Sequence, residues 1–135
     1  MVVEKPMQMI LAGASVRLGQ IYPDTPVYVE AIKQHLPDKS FVLFCVPGLN
    51  RKVTDKRYRM TGNLDISYIV RDDSDEGGLK IEFADKYQEL STQMGTVNYN
   101  GNIIRFTDFS YQVVDNVLHT LASFEIEYFV EDSNG

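Results

Sequence analysis

The sequence predicts an α+β domain, a mainly antiparallel sheet with two helices packed on one face, in the order α-β-β-β-α-β-β-β-β. Three observations lead to this prediction. Two segments have apolar residues at helical spacing, several others alternate apolar and polar residues, and tight-turn residues separate the later alternating segments. The 135 residues suit a single domain, and no repeat, linker or low-complexity tract divides residues 1–135.

The first elements are a helix and two strands. Apolar residues between positions 7 and 21 recur mainly at spacings of three and four, which predicts a helix that ends before Pro23. Alternation over residues 27–31 predicts a short half-buried strand. The apolar run 41–46 predicts a strand buried on both faces, and Pro47-Gly48 is expected to end it.

The middle of the chain has the clearest strand and the second helix. Even positions from 58 to 70 are mostly apolar and odd positions mostly polar, which predicts a long antiparallel strand with one wet face. Apolar residues at spacings of four, four, three and four from Leu79 to Met94 predict an amphipathic helix. Gly95 follows as its C-terminal glycine.

The last third reads as a β-meander of four strands. Asn100-Gly101 predicts a tight hairpin between strands at 97–99 and 103–106. A third strand at 109–113 is expected to turn at Asp115-Asn116 into a final strand over 117–130.

Composition and motifs argue against an enzyme. The net charge is −6, which disfavours a nucleic-acid binder that relies on overall charge. The single cysteine, Cys45, lies in an apolar run and reads as a buried, unreactive thiol that suits a reducing cytoplasm. Neither His35 nor His119 has an evident partner, and no catalytic, cofactor-binding or metal-binding motif occurs. The start of the chain has no secretory signal, and no apolar run is long enough to span a bilayer.

Charge is concentrated in two short segments. The basic cluster consists of Arg51, Lys52, Lys56, Arg57 and Arg59. The acidic cluster, at the far end of the long strand, consists of Asp72, Asp73, Asp75 and Glu76. Both can be solvated loops. Alternatively, they are ring or tube contacts, in which the basic surface of one subunit meets the acidic surface of the next and the rotation closes a ring.

Several stretches resemble the tail terminator family of long-tailed phages and phage-like particles of Gram-positive bacteria. The stretches are residues 27–37, 40–44, 57–59, 64–68, 101–105 and 111–119. The resemblance covers roughly residues 7–130 and rests on short words in a strand pattern. Where the family pattern has glycine in the last hairpin, this chain has Asn116, which also tolerates positive φ.

The resemblance implies a structural virion protein with no catalytic residue, cofactor or metal. Such proteins form a ring, usually a hexamer, that caps the head-proximal end of the tail tube, stops its elongation and joins the head. The implied partners are other copies of the chain, the tail tube protein, the head–tail connector or neck proteins and, in contractile tails, the sheath. Neither a membrane nor a specific nucleic-acid sequence is implied, although the genome can pass through the lumen. The implied location is the virion tail, after assembly in the host cytoplasm.

Two other functions stay open at this stage. One is another ring of the neck, such as a head-completion protein, which the residues cannot distinguish from a terminator. The other is a host α+β domain that binds a small molecule in a pocket lined by sheet aromatics. The absence of a nucleophile beside paired acids and bases weighs against an enzymatic version of that domain.

Overall fold

A computed structural model describes residues 5–30, 36–71 and 76–130 of the chain. The elements are α1 Pro6–Ile21, β1 Val27–Val29, β2 Ser40–Lys52, β3 Arg57–Ile69, α2 Glu76–Gln93, β4 Thr96–Tyr99, β5 Asn102–Val114 and β6 Val117–Phe129. The strands form one six-stranded sheet in the order β1-β2-β3-β6-β5-β4. Only the β1–β2 pair is parallel. The predicted α+β class is therefore confirmed.

Both helices pack on the same face of the sheet. Leu18 of α1 and Leu90 of α2 belong to one buried cluster with Leu64 of β3 and Leu118 of β6. These strand residues occupy the even positions predicted to be apolar. Among the described residues, the opposite face has a small buried cluster around Val42. The long central strands thus have one face under the helices and one face that is largely polar, as their alternation predicts.

The expected end of β2 at Pro47-Gly48 is wrong, because the strand continues to Lys52. In this region four positions of β2, from Pro47 to Asn50, face three of β3, from Gly62 to Met60, which is a β-bulge. β1 pairs only with residues 41–43, so β2 is an edge strand here. An edge bulge tolerates proline because no strand neighbour needs its missing N–H.

The meander has three strands after α2 instead of the predicted four. The segments 103–106 and 109–113 belong to one strand, β5. Five positions of β5, from Phe106 to Ser110, face four of β6, from Phe124 to Leu121. The extra residue is accommodated at Asp108, whose φ is 55°. A bulge therefore interrupts the alternation without ending the strand.

Both predicted tight turns are confirmed. Asn100 and Gly101 have φ values of 49° and 78°, and Asp115 and Asn116 have 51° and 59°. Two successive residues with positive φ give the turn whose twist matches that of a β-hairpin. Asn116 therefore adopts the conformation for which the family pattern has glycine.

Candidate interface at the hairpin between β2 and β3

The basic cluster lies at one end of the sheet, on the hairpin that connects β2 and β3. Exposed apolar side chains accompany it at that end, namely Leu49, Val53, Phe129 and Val130. Among the described residues, no helix covers them. An exposed surface that combines apolar and charged side chains is typical of a protein–protein contact.

Two arginines of the basic cluster are paired inside the subunit. Arg59 faces Glu127 in the β3–β6 register, and its Nη2 donates to Glu127 Oε1 at 2.8 Å. Its Nε lies 3.0 Å from Glu125 Oε1. The hydrogen bond from Arg59 lowers the pKa of Glu127, with a further contribution from the charge of Arg57. Arg57 Nε is 3.7 Å from Glu127 Oε2, which is too long for a hydrogen bond.

The other basic residues of the cluster are less neutralised. Lys52 Nζ is 4.0 Å from Asp55 Oδ1, at the limit of an ion pair. Neither Arg51 nor Lys56 has an ion pair within the part of the chain that the structure describes. Arg51 also stands directly opposite Arg59 in the β2–β3 register. Arg51 and Lys56 are therefore the cations of the basic cluster that have no ion pair among the described residues.

The acidic cluster falls largely outside the described residues. This applies to Asp72, Asp73, Asp75 and the side chain of Glu76, whose backbone begins α2. Arg71, the last described residue before them, follows the end of β3 opposite to the basic cluster. β3 has 13 residues, which places its ends about 40 Å apart. A contact of the two clusters between subunits stays a proposal.

Cys45 is a buried thiol, as its position in the apolar run predicts. Its side chain belongs to the main core, and its Sγ lies 3.5 Å from Met7 Sδ on α1. Burial, with a smaller contribution from the charge of Glu30, raises the pKa of Cys45 to about 12. A thiol that is buried and protonated at neutral pH is a poor nucleophile.

The expectation that His119 lacks a partner is wrong, while His35 lies outside the described residues. His119 Nδ1 is 2.9 Å from Asp65 Oδ2 and 3.1 Å from Ser67 Oγ. Both partners lie on β3, where Ser67 is directly opposite His119. A single ring nitrogen cannot donate to the carboxylate and accept from the hydroxyl at once. The group is therefore a cross-strand polar contact and lacks the relay of a nucleophilic triad.

Two further observations concern other kinds of site. Within residues 5–30, 36–71 and 76–130, no group of three or more histidine, cysteine or acidic side chains could hold a metal ion. Neither of the two described helices is long and apolar enough to cross a bilayer.

The exposed, charged hairpin between β2 and β3 is thus a candidate protein–protein contact. The family model of the phage tail terminator protein matches residues 9–135, and the chain belongs to that family. Members of this family are structural components of phage tails. The structural role that the sequence resemblance implied is therefore confirmed.

Two other comparisons add little. No curated protein matches the chain. Among solved structures, a chain that bears only a sequence identifier as its name matches with a TM-score of 0.46 and 13% identity. The match covers 96% of this chain and 99% of that chain. Its TM-score is too low to support any argument about fold or function.

Proposed function

We propose that the protein forms a ring of six copies that caps the head-proximal end of the tail tube. The ring stops tube elongation and provides the surface that joins the tail to the head. The observation that carries this proposal is the family match over residues 9–135. The partners are the tail tube protein, the connector or neck proteins and, in a contractile tail, the sheath. Assembly takes place in the host cytoplasm.

The distribution of charge supports a ring contact. In a closed ring, each subunit offers two different surfaces to its two neighbours. Here the basic cluster lies at one end of β3, and the acidic cluster follows the other end of that strand in the sequence. Arg51 and Lys56, which have no ion pair among the described residues, are available to a neighbouring subunit or to the tube below. Complementary charge also favours the correct partner and register.

The test is assembly without the protein. We expect particles that lack it to have tails of abnormal and variable length that are not attached to filled heads. Electron microscopy of the particles and a length histogram of the tails measure this outcome. Supplying the wild-type chain from a plasmid is the control and should restore both the length and the attachment. Tails of normal length in its absence would contradict the terminator role, and normal but unattached tails would favour another neck ring.

A further inference from the structure

One edge of the sheet has no strand neighbour over five residues. β4 pairs only with residues 102–105 of β5. Beyond them, the Phe106 amide donates to Gly95 O at 2.9 Å, and Phe109 O accepts from the Tyr87 hydroxyl. Residues 110–114 pair with β6 on one side, and no described segment pairs with them on the other. We call this stretch the β5 edge.

The opposite edge of the sheet has features that oppose strand addition. Past β1, the outer side of β2 contains Pro47, the bulge and the charged residues Arg51 and Lys52. Proline, bulges and charges on an edge strand are the usual means by which proteins avoid unwanted pairing. The β5 edge has the sequence Ser-Tyr-Gln-Val-Val, with neither proline nor charge, and the bulge of β5 ends where it begins. An edge stretch with neither proline nor charge is a ready template for another strand.

An apolar cleft continues from the β5 edge. It has a volume of 460 Å³ and lies between α2 and the sheet, lined by Leu79, Lys80, Phe83, Tyr111, Val113 and Asn116. Tyr111 and Val113 are 46% and 41% exposed. Beyond residue 105, β5 is the outermost described strand on this side of the sheet. No described residue therefore closes the cleft past β5. A strand added here would gain main-chain hydrogen bonds and also bury side chains in the cleft.

We propose that the β5 edges of two copies pair antiparallel around a two-fold axis at Gln112, which joins two six-stranded sheets into one. This register uses all five residues, because Ser110 then faces Val114 of the second copy and Tyr111 faces its Val113. Tyr111 and Val113 lie on the same side of their strand, so the two symmetry-related Tyr111–Val113 pairs each bring two apolar side chains together.

Charge complementarity favours a second copy as the occupant. Lys80, at the cleft, and Asp108, in the bulge, have no ion pair among the described residues. In the proposed register Asp108 of one copy lies opposite Asn116 of the other, and Asn116 lines the same cleft as Lys80. The two-fold axis therefore brings each Lys80 near the other copy's Asp108, which makes two such contacts per dimer.

The dimer is a state of the free protein that is distinct from the proposed ring. A two-fold contact uses the same surface on both copies, so it closes with two copies and does not propagate around a ring. It also does not involve the basic cluster. Disrupting the dimer and disrupting the ring therefore require different substitutions, and either proposal can fail without the other.

Sedimentation velocity of the purified chain tests the proposal. We expect a concentration-dependent equilibrium between monomer and dimer, with a dissociation constant below about 1 mM. Val113→Lys should raise the dissociation constant about tenfold or more, because a buried lysine opposes both the pairing and the filling of the cleft. The matched control is Ile103→Lys on the same strand, at an exposed position whose edge β4 already covers. It should leave the equilibrium unchanged.

A charge exchange tests the register. Lys80→Glu and Asp108→Asn should each weaken the dimer, and the double variant Lys80→Glu/Asp108→Lys should restore it. Circular dichroism of each variant confirms that it is folded. A chain that is monomeric at all concentrations overturns the proposal. So does a dimer or larger oligomer whose dissociation constant is the same with and without Val113→Lys. A dimer that Val113→Lys weakens but the exchange does not restore overturns the two-fold register.

Discussion

At the level of single residues, burial determines the reactivity of Cys45. Burial raises the pKa of its thiol to about 12, so the folded protein holds far less thiolate at pH 8 than a thiol with an ordinary pKa. We expect folded protein to react with a disulfide reagent at pH 8 at least about tenfold more slowly than unfolded protein in urea. The absorbance of the released thiol measures both rates. A folded protein that reacts at the unfolded rate would contradict the buried position of this thiol.

The same thiol gives a pH dependence of stability. The Cys45 thiol binds its proton more tightly in the folded state than in the unfolded state. Its contribution to the free energy of unfolding is therefore complete below pH 9 and declines as pH rises toward 12. Cys45→Ala should lack this part of the decline in urea titrations. At neutral pH the substitution should cost about 1 kcal/mol or somewhat more through the cavity that it leaves. Tail assembly should remain intact wherever the variant is folded.

His119 and Asp65 should behave as a coupled pair in stability and be dispensable in function. Their side chains are only 18% and 21% exposed, so His119→Ala leaves Asp65 without its histidine partner and should cost about 1–2 kcal/mol. The double variant Asp65→Ala/His119→Ala should cost less than the sum of the two single variants, as urea unfolding can show. A folded His119→Ala protein that no longer supports tail assembly would contradict a purely structural role.

At the level of elements, a lysine on α2 contacts two tyrosine rings that belong to other elements of the domain. Lys86 Nζ lies 4.2 Å from the Tyr22 ring centre and 5.0 Å from that of Tyr68. The two hydroxyls donate to Glu89 and Glu82 on α2, at 2.7 Å and 2.6 Å. Burial and these carboxylates raise the pKa of both tyrosines. α2 is thus docked by a group of charges and rings whose members depend on each other.

Removing that cation should loosen α2. Lys86→Met keeps much of the side-chain volume and loses the charge, and it should lower the free energy of unfolding by about 1–2 kcal/mol. The matched control is Lys80→Met on the same helix, because Lys80 is exposed and has no described ion pair. In dilute protein that control should change stability by less than about 0.5 kcal/mol. Equal effects of the two variants would show that the contact of Lys86 with the rings is not stabilising.

The elements that sequence patterns predicted correctly are those that local periodicity determines. α1, α2, β3 and both tight turns each show a repeat or a turn pair within a short window. The predicted end of β2 was wrong because a proline at an edge bulge does not end a strand. The predicted division of β5 was wrong because a bulge interrupts the alternation of apolar residues without ending the strand. Both effects depend on which strand lies alongside, which no local window contains.

The candidate site was predictable as a list of charges and not as a set of contacts. The basic cluster follows from five cations within nine positions. Its internal pairing does not, because Glu125 and Glu127 come more than sixty positions later and meet Arg59 only through the β3–β6 register. The contact of His119 with Asp65 was missed for the same reason. The alternating odd positions of both strands were the one signal that could have suggested these pairs.

At the level of the whole molecule, the two halves of the basic cluster should respond differently to charge reversal. Arg57→Glu/Arg59→Glu places two new carboxylates beside Glu125 and Glu127, so repulsion arises within one subunit. We expect this variant to lower the thermal unfolding midpoint of the isolated chain, more at low salt than at high salt. Calorimetry at the two salt concentrations measures the effect, and an unchanged midpoint would contradict the pairing across β3 and β6.

Arg51→Glu/Lys56→Glu should instead spare the subunit and impair assembly. Neither side chain has an ion pair among the described residues, and Arg51 faces Arg59 across β2 and β3, so the isolated chain should keep its unfolding midpoint or raise it slightly. A neighbouring subunit or the tube would then meet two carboxylates in place of two cations, and the effect repeats at every contact of the ring. One exposed ion pair contributes only about 0–1 kcal/mol, so either single substitution can be silent.

We expect the double variant to sediment as smaller species and to bind tube ends less. Because salt screens both the original attraction and the new repulsion, the difference from wild type should shrink at high salt. A folded double variant that forms rings and caps tubes like wild type at both salt concentrations would leave the basic cluster as a solvated hairpin.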